Sequence, residues 1–334
     1  LISQQWYRAT GKNLSQELAR ERLLPVSTTL FAGHRTLMGR SSNIINYKDT
    51  FQRSCDHWSE AGRLEMEGFY ALASVDYKHL AESIDWKAWL ESIQKSVGGQ
   101  RLQLLDVACG SGKFPMALLS HGSVADASIS TIDYALLDPS SFSISEARKV
   151  LMPPFQAGVN YEMKLQDLKC DRGSFDLVWA THALYAIPLS ELEDALECMI
   201  NAIGNTEASG VIGSGFIAHA KSRSHYLEFY KLFLQAFKQD GVEPFISSEQ
   251  IISVLTRMEL PLEIKELTYT NGVTEDMEIE VEQYLQRCVF DDTVSLRQML
   301  MNPITGPYLE LCQKDGMWQF SQNVDLIFIN APND

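Results

Sequence analysis

The chain is poor in several things at once, and each lack narrows what it can be. No apolar run approaches the roughly 18 residues that a bilayer-spanning helix requires, so no transmembrane segment is expected. Basic residues are scarce, 28 Lys and Arg against 43 Asp and Glu. The formal charge of −15 would repel phosphate backbones and anionic lipid, so neither nucleic acid nor a membrane surface is an expected partner. The cysteines, Cys55, Cys109, Cys170, Cys198, Cys288 and Cys312, show no C-x-x-C spacing. That suggests neither a zinc site nor a disulfide framework and favours a reducing, cytoplasmic setting. The chain starts at Leu1, without Met and without a basic-then-apolar leader, and so reads as processed, trimmed or excised. Internal repeats and low-complexity tracts are lacking too, and 334 residues that are 45% hydrophobic suffice for one elaborated domain with a sizeable core.

What is present is an alternation of strand and helix signals. Residues 1–46 read as an extension or as the tail of a preceding segment, with a short helical stretch around Ser15–Leu24. Over 47–97 the apolar and aromatic residues recur at helical spacing: Phe51, Cys55 and Trp58, then Phe69, Leu72, Ala73 and Leu80, then Trp86, Trp89 and Ile93. This segment is expected to form a helical cap, with Gly98-Gly99 as its boundary. From 98 onward strands are expected at 102–107, 131–137, 159–163, 175–180 and 211–217, separated by helices at 113–120, 143–151 and 189–203. Such alternation implies a parallel sheet with helices on both faces. Two late strands at 261–270 and 319–329 close the pattern, with helical insertions after strand five at about 221–260 and 274–312.

The segment Leu104-Leu105-Asp106-Val107-Ala108-Cys109-Gly110-Ser111-Gly112-Lys113-Phe114-Pro115 is an apolar strand running through a glycine-hinged turn into a helix. At the carboxyl end of a first parallel strand, small residues let backbone approach a ligand. A dinucleotide fold wants G-x-G-x-x-G, and Pro115 stands where its last glycine belongs, which weakens a nicotinamide-dependent reading. Asp138, at the end of the second strand and followed by Pro139-Ser140, is placed to accept hydrogen bonds from both hydroxyls of a ribose. After the fourth strand comes Thr181-His182-Ala183-Leu184-Tyr185, where a histidine neutral over much of the physiological range can accept a proton.

The spacing D-x-A-C-G-S-G resembles the first motif of class I S-adenosylmethionine (SAM) methyltransferases, and with Asp138, Gln166-Asp167 and Thr181-His182 it falls in that family's order. The resemblance implies a Rossmann-like α/β fold, a seven-stranded class I methyltransferase sheet. It implies SAM as cofactor and S-adenosylhomocysteine (SAH) as product. The turn, with Ala108, Gly110 and Gly112, would wrap the methionine part above Asp106. Asp138 and Ser140 would hold the ribose, Gln166 and Asp167 the adenine, and Thr181 would face the cofactor. Cys109 is expected to be a small space-filling residue. Methyl transfer is an in-line displacement that needs proximity, alignment and exclusion of water, and requires no metal.

The stretch from Tyr47 to Glu60 is similar to the first helix of the histamine N-methyltransferase family, matching it at Tyr47, Phe51, His57 and Glu60. In that family the helix covers the active site and supplies aromatics and an acid that holds the substrate amine. The likeness extends to Tyr226 and Tyr230 as walls, while the family's glutamine after strand four is His182 here, a wall cysteine falls at Glu243 and a C-terminal polar residue at Gln322. A different substrate is therefore expected. The reading that follows is a small-molecule methyltransferase acting on a nitrogen nucleophile, amine or imidazole in type, as a monomer or weak dimer. His182 and Glu60 would be catalytic, and Phe51, His57, Tyr185, Tyr226, Tyr230, Glu243 and Gln322 would line the substrate site. Rivals are O-methylation of a hydroxyl or carboxylate with His182 as base, and a non-catalytic SAM-binding domain of a larger protein.

Overall fold

The computed structural model describes residues 50–126, 128, 130–206, 211–238 and 244–330. The expected extension at 1–46, Tyr47 and Glu243 lie outside them. Five strands run in parallel: β1 (Gln103–Val107), β2 (Ile132–Leu137), β3 (Phe155–Tyr161), β4 (Leu177–Thr181) and β5 (Ser214–Ala220). Two long strands, β6 (Leu262–Thr274) and β7 (Met317–Asn330), follow; β7 lies antiparallel between β5 and β6, giving the order β3-β2-β1-β4-β5-β7-β6, with the short Gln313–Lys314 strand pairing β7 as an eighth. The reversal of direction between β1→β2→β3 and β4→β5 creates a switch point beside β1, where ligands bind in open α/β sheets.

Strand alternation sends side chains to two separate cores. Leu104, Tyr134, Leu136, Trp179 and Phe216 pack on one face, while Leu105, Val107, Leu137, Val178 and Ala180 pack on the other. The first face is covered by α3 (Trp86–Ser96), α4 (Lys113–His121) and α5 (Ser141–Val150), the second by α6 (Leu192–Ala202) and α8 (Ser248–Arg257). A third core belongs to the insertion, where α7 (His225–Phe237), α9 (Glu278–Cys288), α10 (Leu296–Met301) and α11 (Gly306–Cys312) pack with Trp318 and Phe320 of β7. Preceding the sheet are α1 (Thr50–His57) and α2 (Arg63–Glu82).

Four expectations need correction. The segment 47–97 is not a cap throughout: Trp86 of α3 is buried with its ring 4.9 Å from Phe216 and 5.3 Å from Phe114, inside the sheet core. Strand β3 starts at Phe155, not 159, because it is an edge strand on which Phe155 is buried and the apolar Val159 faces solvent. Val211–Ile212 pair with Asn205–Thr206 in a separate hairpin, and β5 begins only after Gly213, where a Cβ would lie 2.6 Å from the Gly204 carbonyl oxygen. Helix α5 starts at Ser141 rather than 143, because Ser140 caps it, its hydroxyl accepting from the Ser143 N–H at 3.2 Å. Ser247 opens α8 with a full capping box completed by Gln250.

Candidate active site

The sheet order sets four strand ends in a row, β3, β2, β1, β4, and each contributes to one cavity of about 870 Å³. Gln166 follows β3, Asp138 ends β2, Ala108 and Gly110 form the turn after β1, and Thr181 with His182 ends β4; all six line the cavity. The turn requires left-handed backbone at Ala108 (φ 51°), Gly110 (φ 51°) and Gly112 (φ 72°). The two glycines serve different needs. A Cβ on Gly110 would meet nothing within 4 Å, leaving that face open to a ligand, whereas a Cβ on Gly112 would lie 2.6 Å from Val150 Cγ2 and 3.1 Å from Ala147 Cα. Gly112, the N-cap of α4, thus permits close packing against α5 and does not line the cavity. Pro115 falls in the first turn of α4, where no N–H is needed.

Asp138 holds the turn together. Its Oδ2 accepts the Gly110 N–H at 3.0 Å and its Oδ1 accepts the Ser140 N–H at 2.8 Å. Each oxygen keeps a further lone pair. Burial raises this carboxyl to about 6 against those two hydrogen bonds. Asp106 lies beneath the turn, buried on the opposite face, where its Oδ2 accepts the Tyr134 hydroxyl at 2.7 Å and burial lifts its carboxyl to about 7. Asp106 therefore ties β1 to Tyr134 of β2 without lining the cavity. Cys109 is buried, and its thiol is pushed up by that burial, so it fills space as expected.

A carboxylate with lone pairs to spare, an open glycine backbone beside it and a cavity edged by the apolar Leu137, Leu165 and Ile187 form a donor and acceptor set that fits a nucleoside carrying an amino-acid tail. Over it lies α1: Phe51 lines the cavity with the Lys164 ammonium 4.2 Å from its ring centroid. The Trp58 carbonyl accepts from the Ser140 and Ser143 hydroxyls at 2.8 and 3.2 Å, which ties the end of α1 to the Asp138 loop.

A second cavity, of about 710 Å³, adjoins the first, and Ser54, Trp58, Tyr77, His182, Ala183 and Ala186 line both. Its walls are aromatic, from Trp58, Tyr77, Tyr185, Tyr226, Phe245 and Phe290, and its described lining contains no Lys or Arg. One carboxylate enters it. Asp76 of α2 is buried, its Oδ2 accepts the Tyr226 hydroxyl at 2.5 Å and its Oδ1 accepts the Asn271 amide at 2.9 Å. These partners, and Tyr269 which also hydrogen-bonds the carboxyl, are neutral, and burial raises the Asp76 carboxyl to about 6. His182 stands half-buried at the junction with φ 53°, its Nδ1 2.8 Å from the Tyr185 hydroxyl. Burial, with the neighbouring His219, pulls its imidazole down to about 3. Burial likewise lowers His57, with Arg287 adding to the effect, to about 3. Asp76 is thus the one carboxylate in a cavity whose imidazoles are uncharged at neutral pH.

Of the residues expected at the cofactor, Ala108, Gly110, Asp138, Ser140, Gln166 and Thr181 are brought together; Asp106, Gly112 and the exposed Asp167 are not in the lining. Of those expected at the substrate, His57, Tyr185 and Tyr226 line the second cavity, while Phe51 belongs to the first. Tyr230 is fully buried behind the wall, stacked on Phe245 at 3.9 Å, with its hydroxyl 2.9 Å from Thr50 Oγ1. Gln322 is a buried structural residue of β7, its Oε1 accepting the Ser224 hydroxyl at 2.5 Å. Glu60 is exposed after α1 and lines neither cavity. The acid that sequence reasoning missed is Asp76, and its signal was available: Leu72, Asp76 and Leu80 lie four residues apart on one helical face, so a carboxylate interrupts a buried stripe.

Residues 105–202 match the family model described as "Methyltransferase domain", and the strand order, the glycine turn and the Asp138 cradle are those expected of a SAM-dependent methyltransferase. Its cofactor is SAM. Among solved structures, the chain is similar to magnesium protoporphyrin IX methyltransferase of Synechocystis with bound SAH (13% identity, 84% of this chain and 99% of that one, TM-score 0.47). It is also similar to a SAM-dependent methyltransferase of Thermotoga maritima described as a possible histamine N-methyltransferase (12%, 84% and 98%, TM-score 0.43) and to YcgJ of Bacillus subtilis (12%, 73% and 99%, TM-score 0.41). No curated protein matches the chain in sequence. Among the described residues no group of three or more His, Cys, Asp or Glu is placed to hold a metal, and no helix is long and apolar enough to cross a membrane.

Proposed function

We propose that the protein methylates a nitrogen of a small molecule, an amine held by Asp76 in the second cavity. The observation that carries this reading is the buried Asp76 carboxylate, held by the neutral Tyr226, Asn271 and Tyr269 with no cationic partner in the cavity lining, in an aromatic cavity that shares the His182 wall with the cofactor cavity. A buried carboxylate with neutral partners favours a cationic ligand, and aromatic faces reinforce that preference.

Bound SAM supplies an electrophilic methyl group. The chain supplies the rest. Asp76 captures the ammonium and orients it; its raised carboxyl is a better proton acceptor than an ordinary carboxylate, so the proton that must leave nitrogen before attack passes to an Asp76 oxygen. His182, neutral at physiological pH, sets no competing cation beside the sulfonium and offers a ring nitrogen at the junction of the cavities. Trp58 and Tyr77 line both cavities and exclude water between them.

The test is product mass after incubation with SAM and matched panels of amines, phenols and carboxylic acids. Amines are expected to gain one methyl group. Turnover confined to oxygen acceptors contradicts the reading.

A further inference from the structure

Six described non-glycine residues adopt left-handed backbone, and three of them, Ala108, His182 and Phe290, line a cavity. Phe290 is the least expected. It follows α9, where the Phe290 N–H donates to the Arg287 carbonyl at 3.3 Å and the Asp291 N–H donates to the Gln286 carbonyl at 3.0 Å. Those two bonds make a Schellman motif with Phe290, φ 52°, at the position where glycine is strongly preferred. At the end of α3 the same position is filled by Gly98, φ 77°. At the end of α8 it is filled by Glu259, φ 58°, an exposed residue lining neither cavity.

A bulky ring is retained at Phe290 despite its backbone, and the ring is a partition. Its centroid lies 5.0 Å from that of His57 and 5.6 Å from that of Phe245. Phe290 and His57 are the two residues common to the aromatic second cavity and to a third, outer cavity of about 650 Å³ lined by Arg53, Asp56, Arg287 and Asp292. On one side the lining is mainly aromatic with a single carboxylate; on the other it is charged. The geometry points to Phe290 as a specificity-determining residue that sets the length of acceptor the second cavity admits. The inference rests on the reading of that cavity as the acceptor site, and not on whether nitrogen or oxygen is methylated. Backbone strain at a position lining a binding cavity is a recurring device for holding a side chain that folding alone would not select.

The test uses the full chain loaded with SAH and two probe pairs, benzylamine with 4-phenylbenzylamine and phenol with 4-phenylphenol, their dissociation constants measured by calorimetry. Phe290→Gly should shift the ratio of constants toward the longer member by roughly tenfold or more in whichever pair binds, as expected when a hydrophobic wall is removed. Phe290→Leu keeps apolar bulk at the end of α9 and should shift the ratio in the same direction by less. Glu259→Gly relieves the same backbone position far from the cavities and should leave the ratio within about twofold while raising the melting temperature. Binding of the phenols alone contradicts the amine reading but still reports the wall. An unchanged ratio in both Phe290 variants overturns the partition and makes the ring a packing element only.

Discussion

The Gly110 N–H donates to Asp138 Oδ2 at 3.0 Å, so the turn after β1 and the carboxylate after β2 are a single unit. Replacing Asp138 by Ala would therefore remove both the expected ribose acceptor and the anchor of the glycine turn. SAM affinity should fall by at least about tenfold, the loss expected for one charge-assisted hydrogen bond of about 1.5–3 kcal/mol, with the fold retained. Calorimetric titration with SAM checks this.

Affinity should also follow pH. As the expected ribose acceptor, Asp138 would take hydroxyls on both oxygens only when ionised, and burial has raised it to about 6. As pH falls through about 6 the carboxyl takes up a proton, and the SAM dissociation constant should rise by up to about tenfold per pH unit, a dependence that Asp138→Asn abolishes. His182, at about 3, contributes no inflection between pH 5 and 8.

The two glycines of the turn should separate under mutation. Gly112→Ala puts a methyl 2.6 Å from Val150 Cγ2 at φ 72°, and should destabilise the protein by about 1–3 kcal/mol in urea or thermal unfolding. Gly110→Ala meets no neighbour within 4 Å and should lower SAM affinity far more than it lowers the melting temperature.

Much of this cradle is legible in the sequence because it depends on local chemistry: small residues at a strand end, an Asp before Pro, apolar strands of regular spacing. The acceptor site is not local. The proposed role of Asp76 depends on Tyr226 of α7 and Asn271 of β6 converging on it across 150 and 195 residues. Glu60 drew attention as an acid on an aromatic helix, yet it falls beyond the last turn of α1 and faces solvent. Tyr230 and Gln322 read as wall residues by position, but the insertion core buries them. Phe290 gave no signal, since left-handed backbone at a helix end is invisible when the residue is not glycine.

The two acids should accordingly behave in opposite ways. Asp76→Asn should raise the KM for an amine by roughly tenfold or more with SAM affinity unchanged, and should remove a limb near pH 6 from kcat/KM. Glu60→Gln should leave KM within about twofold. Steady-state kinetics with one amine acceptor measures both.

The most direct measurement is a crystal structure of the protein with SAH and a turned-over amine. The amine nitrogen is expected within hydrogen-bond distance, about 3 Å, of an Asp76 carboxylate oxygen and beside the His182 ring. A nitrogen placed at Glu60 or outside the second cavity, with Asp76 facing only its neutral protein partners Tyr226, Asn271 and Tyr269, would contradict the account.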